Sequence, residues 1–229
     1  MLDHTRQRDL FRILLALLYF CRQMPGTCAA VPLQLDPPSI VVPFGSPVSV
    51  NCSTNVTNKG MGWEASQGQK DLMENVTFIT WTVKSLEHWD IEPICYINVN
   101  EQYMLSLNIT VYKPPDQVSI STVGHTGPMI EGRQYELQCA VQNVAPVHLL
   151  TVNWYKGQHL VKGENFSDMN KFPVNKTLTL QISPHRGDDG AQYRCEAELQ
   201  LGPEGPQPPP LVKSDPLNIT VHCKFVFPY

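Results

Sequence analysis

The chain reads as all-β, built from two tandem sandwiches that each carry a core disulfide. Three observations predict this. The phrase Leu107-Asn108-Ile109-Thr110-Val111-Tyr112 returns almost unchanged as Leu217-Asn218-Ile219-Thr220-Val221-His222. Each copy follows a widely spaced cysteine pair, Cys52 with Cys95 and then Cys139 with Cys195. Between these landmarks, apolar and polar residues alternate over short runs bounded by Gly, Pro and Ser, which is the period of half-buried strands. A unit of about a hundred residues that ends twice in the same alternating strand is a duplicated domain.

Residues 1–30 of the 229 read as a secretory signal peptide. Arg6, Arg8 and Arg12 precede an apolar run from Ile13 to Phe20, Pro25 breaks it, and Cys28-Ala29-Ala30 supplies small residues for cleavage. The run is too short to span a bilayer. Export places the cysteines in an oxidising compartment, so the two spaced pairs are expected as disulfides. Each closes a loop of roughly fifty residues, which contributes about 4 kcal/mol in the chain-entropy model.

Glycosylation sequons agree with export. Asn55, Asn75, Asn108, Asn165, Asn175 and Asn218 each begin an Asn-x-Ser/Thr triplet, and Asn51-Cys52-Ser53 is a further one whose middle residue is expected to be buried. The net charge of −4, with no basic block, argues against a nucleic-acid partner. No later apolar stretch reaches the length of a transmembrane helix, so the chain is expected to be extracellular and soluble as written.

The first domain is expected over 31–113. Ser39–Pro43, Val48–Cys52 and Thr77–Val83 alternate as strands, and Gly45-Ser46-Pro47 turns between the first two. Pro114-Pro115 marks a short, stiff junction. The second domain is expected over 114–221 and has the grammar of an immunoglobulin-like sandwich. Trp154 follows Cys139 at the spacing of the tryptophan that packs on the core disulfide, and Tyr193 stands two residues before Cys195, as in a tyrosine corner. The proline-rich run Gly202–Pro210 reads as a stiff, long loop.

At four places the sequence resembles the intercellular adhesion molecule family in its two membrane-distal domains. These are the Cys52-Ser53-Thr54 opening, Gly62-Trp63-Glu64-Ala65-Ser66, the Pro93-Ile94-Cys95-Tyr96 closing, and the hinge Val111-Tyr112-Lys113-Pro114-Pro115. The resemblance covers residues 31–221. It implies a cell-adhesion ligand for leukocyte β2-type integrins, in which an exposed glutamate completes the coordination of a divalent cation held by the integrin. By position that glutamate is Glu64, with Gln102 a second candidate for the same surface and Lys70 and Glu74 at its rim. The chemistry is sound: Mg²⁺ is a hard cation that prefers carboxylate oxygen. No cofactor is expected on this chain; the Mg²⁺ belongs to the partner. The sequence departs from the family where Val56 and Val99 replace the cysteines of a second disulfide at the tip of the first domain.

Arg186-Gly187-Asp188 is an integrin tripeptide by letter, but it stands at the corner before Tyr193, where Asp189 is expected to serve a tight turn. No His-Glu-x-x-His, Gly-x-Ser-x-Gly or Cys-x-x-Cys pattern is present, the histidines are scattered singly, and no small-molecule substrate is implied; the chain is not expected to be an enzyme. Residues 222–229 form a short tail. Its Cys223 has no expected partner within the mature chain and could join a disulfide-linked partner or mark a longer product. A rival reading is a soluble immunoglobulin-type receptor or decoy that binds a protein ligand through loops, without a cation.

Overall fold

The computed structural model of the chain describes residues 31–223, so the expected signal peptide and all of the tail beyond Cys223 lie outside the described residues. The first half contains β1 (Gln34–Asp36), β2 (Ser39–Pro43), β3 (Val48–Ser53), β4 (Gly60–Glu64), β5 (Lys70–Met73), β6 (Phe78–Val83), β7 (Ile94–Asn98), β8 (Gln102–Ser106) and β9 (Asn108–Tyr112). One sheet has the order β1-β3-β6 and the other β5-β4-β7-β8, while β9 pairs in parallel with β2. Alternation drives the layering. Val48, Val50 and Cys52 of β3 and Ile79, Trp81 and Val83 of β6 are buried, while the residues between them face out.

The second half contains β10 (Gln117–Thr122), β11 (Met129–Ile130), β12 (Tyr135–Val144), β13 (Leu150–Lys156), β14 (His159–Asn165), β15 (Val174–Ile182), β16 (Gln192–Leu199), β17 (Leu211–Lys213), β18 (Leu217–Asn218) and β19 (Val221–His222). Here β10-β12-β15 faces β14-β13-β16-β17, and β19 runs parallel to β11.

Both disulfides expected from spacing are formed, Cys52–Cys95 and Cys139–Cys195, and each joins the two sheets of its domain. Trp154 is fully buried and lies directly opposite Cys195. The first domain has an equivalent that the spacing argument did not single out. Trp63 is 1% exposed, lies opposite Cys95, and donates its indole N–H to the Ile79 carbonyl at 3.1 Å. Val56 and Val99, at the positions where the resemblance implies cysteines, both pack against the core of the first domain.

The duplicated phrase does the same work twice. Leu107 and Val111 are buried in the first core, Ile219 and Val221 in the second, although the second copy breaks into β18 and β19. The junction is bonded as well as stiff. Lys113 and Ala145 exchange backbone hydrogen bonds, the Lys113 ammonium pairs with Asp116, and Tyr112 is buried in the second core. The proline-rich loop adds a contact absent from the sequence reading: Ser39 Oγ in β2 donates to Glu204 at 2.6 Å.

Candidate functional site

The site is assembled by pleat and register. β4, β7 and β8 lie side by side, and their outward residues form three rungs across the sheet. The first rung is Glu64, Ile94 and Ser106; the second is Gly62, Tyr96 and Met104; the third is Gly60, Asn98 and Gln102. The inward residues Trp63, Cys95 and Leu105 belong to the core, so Glu64, one residue past Trp63, is turned to solvent by strand alternation alone.

Two glycines flatten the middle of this face. A Cβ at Gly62 would stand 2.3 Å from the Tyr96 ring, and a Cβ at Gly60 would meet Leu72 at 2.7 Å. The side chains of Tyr96 and Leu72 therefore lie across β4 instead of standing off it. Met104 (54% exposed), in the middle rung, and Leu72 (43%), against Gly60, leave apolar surface along the face. Burial pushes the Tyr96 phenol above its ordinary value, and the negative charges of Glu64 and Asp71 push it further in the same direction.

The Glu64 carboxylate makes no hydrogen bond or ion pair among the described residues, and the segment after it is tied down by hydrogen bonds. The Trp81 indole donates to the Gln67 carbonyl at 3.0 Å, Gln67 Nε2 donates to the Ser85 carbonyl, and the Glu87 N–H donates to Gln67 Oε1. An exposed carboxylate at a strand end leaves its oxygens open to a ligand from outside. Among the described residues no cluster of His, Cys, Asp and Glu is arranged to hold a metal ion.

Gln102 shares this face but not this end of it. It pairs with Asn98, to which its amide donates at 3.2 Å, and it lies four residues along and two strands across from Glu64, roughly 16 Å away. Lys70 stands opposite Trp63 on the edge strand β5, and Glu74 lies just beyond that strand. Sequence reasoning missed Tyr96, Asp71, Leu72 and Met104. Alternation from the buried Cys95 could have found Tyr96, but the registers that bring Asp71, Leu72 and Met104 alongside carry no local signal. At the foot of the face, a cleft of about 400 Å³ is lined by Ile94, Ser106, Glu92 and, from the second domain, Lys171, whose ammonium is 3.8 Å from Glu92.

The Arg-Gly-Asp tripeptide is used internally. Asp188 is paired with Lys156 and accepts the His185 N–H at 3.0 Å, and these contacts hold its carboxyl below the ordinary value. Asp188, not the expected Asp189, caps the tight turn at this corner, while Asp189 accepts the Val221 N–H at 2.9 Å. Lys156 is the reason, because it reaches over the Tyr193 ring and brings its ammonium to the nearer carboxylate. Cys223 is exposed and unpaired among the described residues.

Two sandwiches, each closed by its own disulfide, define a protein of the immunoglobulin type. Residues 29–117 match the N-terminal domain model of the intercellular adhesion molecules, and residues 118–205 match the immunoglobulin I-set domain. The first domain is thus similar along its length to the intercellular adhesion molecules, which are adhesion molecules and not enzymes. The chain is 30% identical to intercellular adhesion molecule 1 of Pan troglodytes over 178 residues, 76% of this chain and 32% of that protein. It is 28% identical to intercellular adhesion molecule 1 of Rattus norvegicus, over 88% of this chain and 35% of that protein. The chain thus spans about a third of the length of these relatives. Among solved structures, a D1–D4 ectodomain fragment of intercellular adhesion molecule 5 superposes with a TM-score of 0.63 at 22% identity, covering 82% of this chain and 50% of that one. The ectodomain of mouse nectin-like molecule 4 superposes with a TM-score of 0.55 at 16% identity, covering 81% and 67%. These likenesses show the fold.

Proposed function

We propose that this chain is an extracellular cell-adhesion ligand whose first domain binds a leukocyte β2-type integrin, with Glu64 completing the coordination of a Mg²⁺ ion held by the integrin. The observation that carries this reading is the Glu64 carboxylate itself. It is exposed, unpaired among the described residues, and fixed at a strand end by the buried Trp63 beside it. A carboxylate already in an ion pair would have to break that pair before ligating a metal; Glu64 has none to break. The names of the relatives, intercellular adhesion molecules, point to the same role.

The surroundings favour a protein partner over a small ligand. Beside Glu64 stand Ile94 and Ser106, and the next rung along the face offers Tyr96 and Met104 for apolar contact. Aromatic and methionine side chains are enriched at protein interfaces. None of the first domain's sequons falls on β4, β5, β7 or β8, although Asn108 borders the cleft lined by Ile94 and Ser106 at the Glu64 end of the face.

The test is binding of the secreted chain to immobilised leukocyte β2 integrin in Mg²⁺, with wild type, Glu64→Ala and wild type in EDTA compared. Loss in both controls is the expected result. Binding that persists in EDTA would replace this reading with that of a loop-mediated, cation-independent receptor or decoy.

A further inference from the structure

β5 and β6 are the outermost strands of their two sheets on one side of the first domain, and the turn between them carries the sequon Asn75-Val76-Thr77. A groove of about 470 Å³ runs along this side, lined by Lys70, Met73, Asn75, Val76, Phe78 and Thr80. That volume falls at the low end of the range for ligand clefts. Its apolar walls face water: Phe78 is 63% exposed and Met73 50%. All four residues of β5 are exposed, and among the described residues no strand pairs with its outer edge. Neighbouring apolar side chains exposed along an open sheet edge invite a partner or aggregation.

Asn75 itself forms part of the groove wall. It is exposed, has a left-handed backbone (φ 57°), and makes no side-chain hydrogen bond among the described residues. The sequon residues Asn165 and Asn175, by contrast, accept hydrogen bonds from Thr151 Oγ1 and the Asn143 N–H.

We propose that the groove is occupied by the chain's own N-linked glycan, attached at Asn75, with its first N-acetylglucosamine seated against Phe78 and Met73. In the modification Asn75 Nδ2 displaces the pyrophosphate leaving group from C1 of a lipid-linked oligosaccharide. The N–C1 bond forms, the C1–O bond breaks with its electron pair leaving on the lipid pyrophosphate, and the amide loses one proton. A pyranose ring has a face of C–H groups and a rim of hydroxyls. It can cover a phenyl ring and a thioether while its rim stays wet or meets Lys70 and Thr80. A glycan rooted in the groove wall excludes a protein from the groove and shields the edge of β5.

The same placement spares the Glu64 face. Along β5, Lys70 lies opposite Trp63 and Met73 opposite Met61, so Asn75 follows the end of the strand remote from Glu64. The inference does not depend on the integrin reading.

The experiment uses the full chain secreted from eukaryotic cells restricted to high-mannose glycans. Glycopeptide mass spectrometry reads occupancy at Asn75, and anilinonaphthalene sulfonate fluorescence and thermal unfolding are compared for wild type, Thr77→Ala, Phe78→Ser and the double variant. Thr77→Ala is expected to raise dye fluorescence roughly twofold and to lower the melting midpoint by about 4 °C. In the Phe78→Ser background it should add nothing. Trimming the folded wild type with endoglycosidase H to one N-acetylglucosamine should leave both readouts at their untrimmed values, a test that requires no variant to fold. An unmodified Asn75, unchanged readouts in Thr77→Ala, additive effects of the two substitutions, or loss of protection on trimming would each overturn the proposal.

Discussion

The ring of Tyr96 lies across the backbone of Gly62, so close that a Cβ at residue 62 would stand 2.3 Å from both the phenol oxygen and the ring carbon bearing it. This contact shapes the face beside Glu64. With no side chain on residue 62, the aromatic ring folds down between β4 and β7, and its oxygen comes under the influence of the carboxylates of Glu64 and Asp71.

Gly62→Ala is therefore expected to expel Tyr96 from its place and to destabilise the first domain by about 1–3 kcal/mol, the usual cost of overpacking. Binding should fall with it. The combined Gly62→Ala, Tyr96→Ala variant removes the clash, so denaturant unfolding should show it to be closer to Tyr96→Ala than additivity predicts.

Glu64→Ala and Trp63→Ala should separate function from fold. Glu64 is exposed and unpaired among the described residues, so its loss is expected to change stability by no more than about 0.5 kcal/mol while abolishing cation-dependent adhesion. Trp63 is buried opposite Cys95, and its truncation is expected to cost about 3–5 kcal/mol. Urea titration of both variants beside an adhesion assay checks the distinction. Glu64→Asp should also lose adhesion, because the shorter side chain withdraws the carboxylate from a flat face.

Asp188 gives a pH signature. Its carboxyl is held below the ordinary value of 3.8, first by Lys156 and then by the His185 N–H. A depressed carboxylate contributes stability that is complete above its unfolded value and is lost as pH falls through the folded one. The stability gap between wild type and Asp188→Asn should be widest near neutral pH and close below that value. A gap that stayed constant down to about pH 2 would mean the charge is not its source. Asp188→Glu should leave adhesion unchanged, since that carboxylate is committed to Lys156.

Glu204→Ala tests the junction. Glu204 receives the Ser39 hydroxyl from the first domain, whereas its own domain's core is formed by other residues. The variant should leave the unfolding of each domain within about 0.5 kcal/mol of wild type while broadening the interdomain distribution seen by small-angle scattering.

Both disulfides, the place of Trp154 and the duplicated closing strand were legible from spacing, because a disulfide and the tryptophan packed on it impose fixed positions along a chain. Glu64 was reachable only through resemblance, since an exposed glutamate carries no distinguishing local pattern. Trp63 was overlooked as the first domain's core tryptophan, although it stands next to Glu64 and is the residue that turns it outward. The proline-rich loop was read as a stiff connector; its bond to Ser39 involves a residue 165 positions away, beyond any local signal.

The sequence by itself determined the duplicated sandwiches, the covalent pairs and the sequons, because alternation, cysteine spacing and Asn-x-Ser/Thr triplets are properties of the chain. Only the tertiary structure decided that Tyr96 and Met104 hold the middle of the Glu64 face while Leu72 and Gln102 stand at its far end, that Lys156 occupies Asp188, and that Asn75 borders an open apolar groove. Those relationships depend on which strands pair and in what register, and register is set by the burial of whole faces at once.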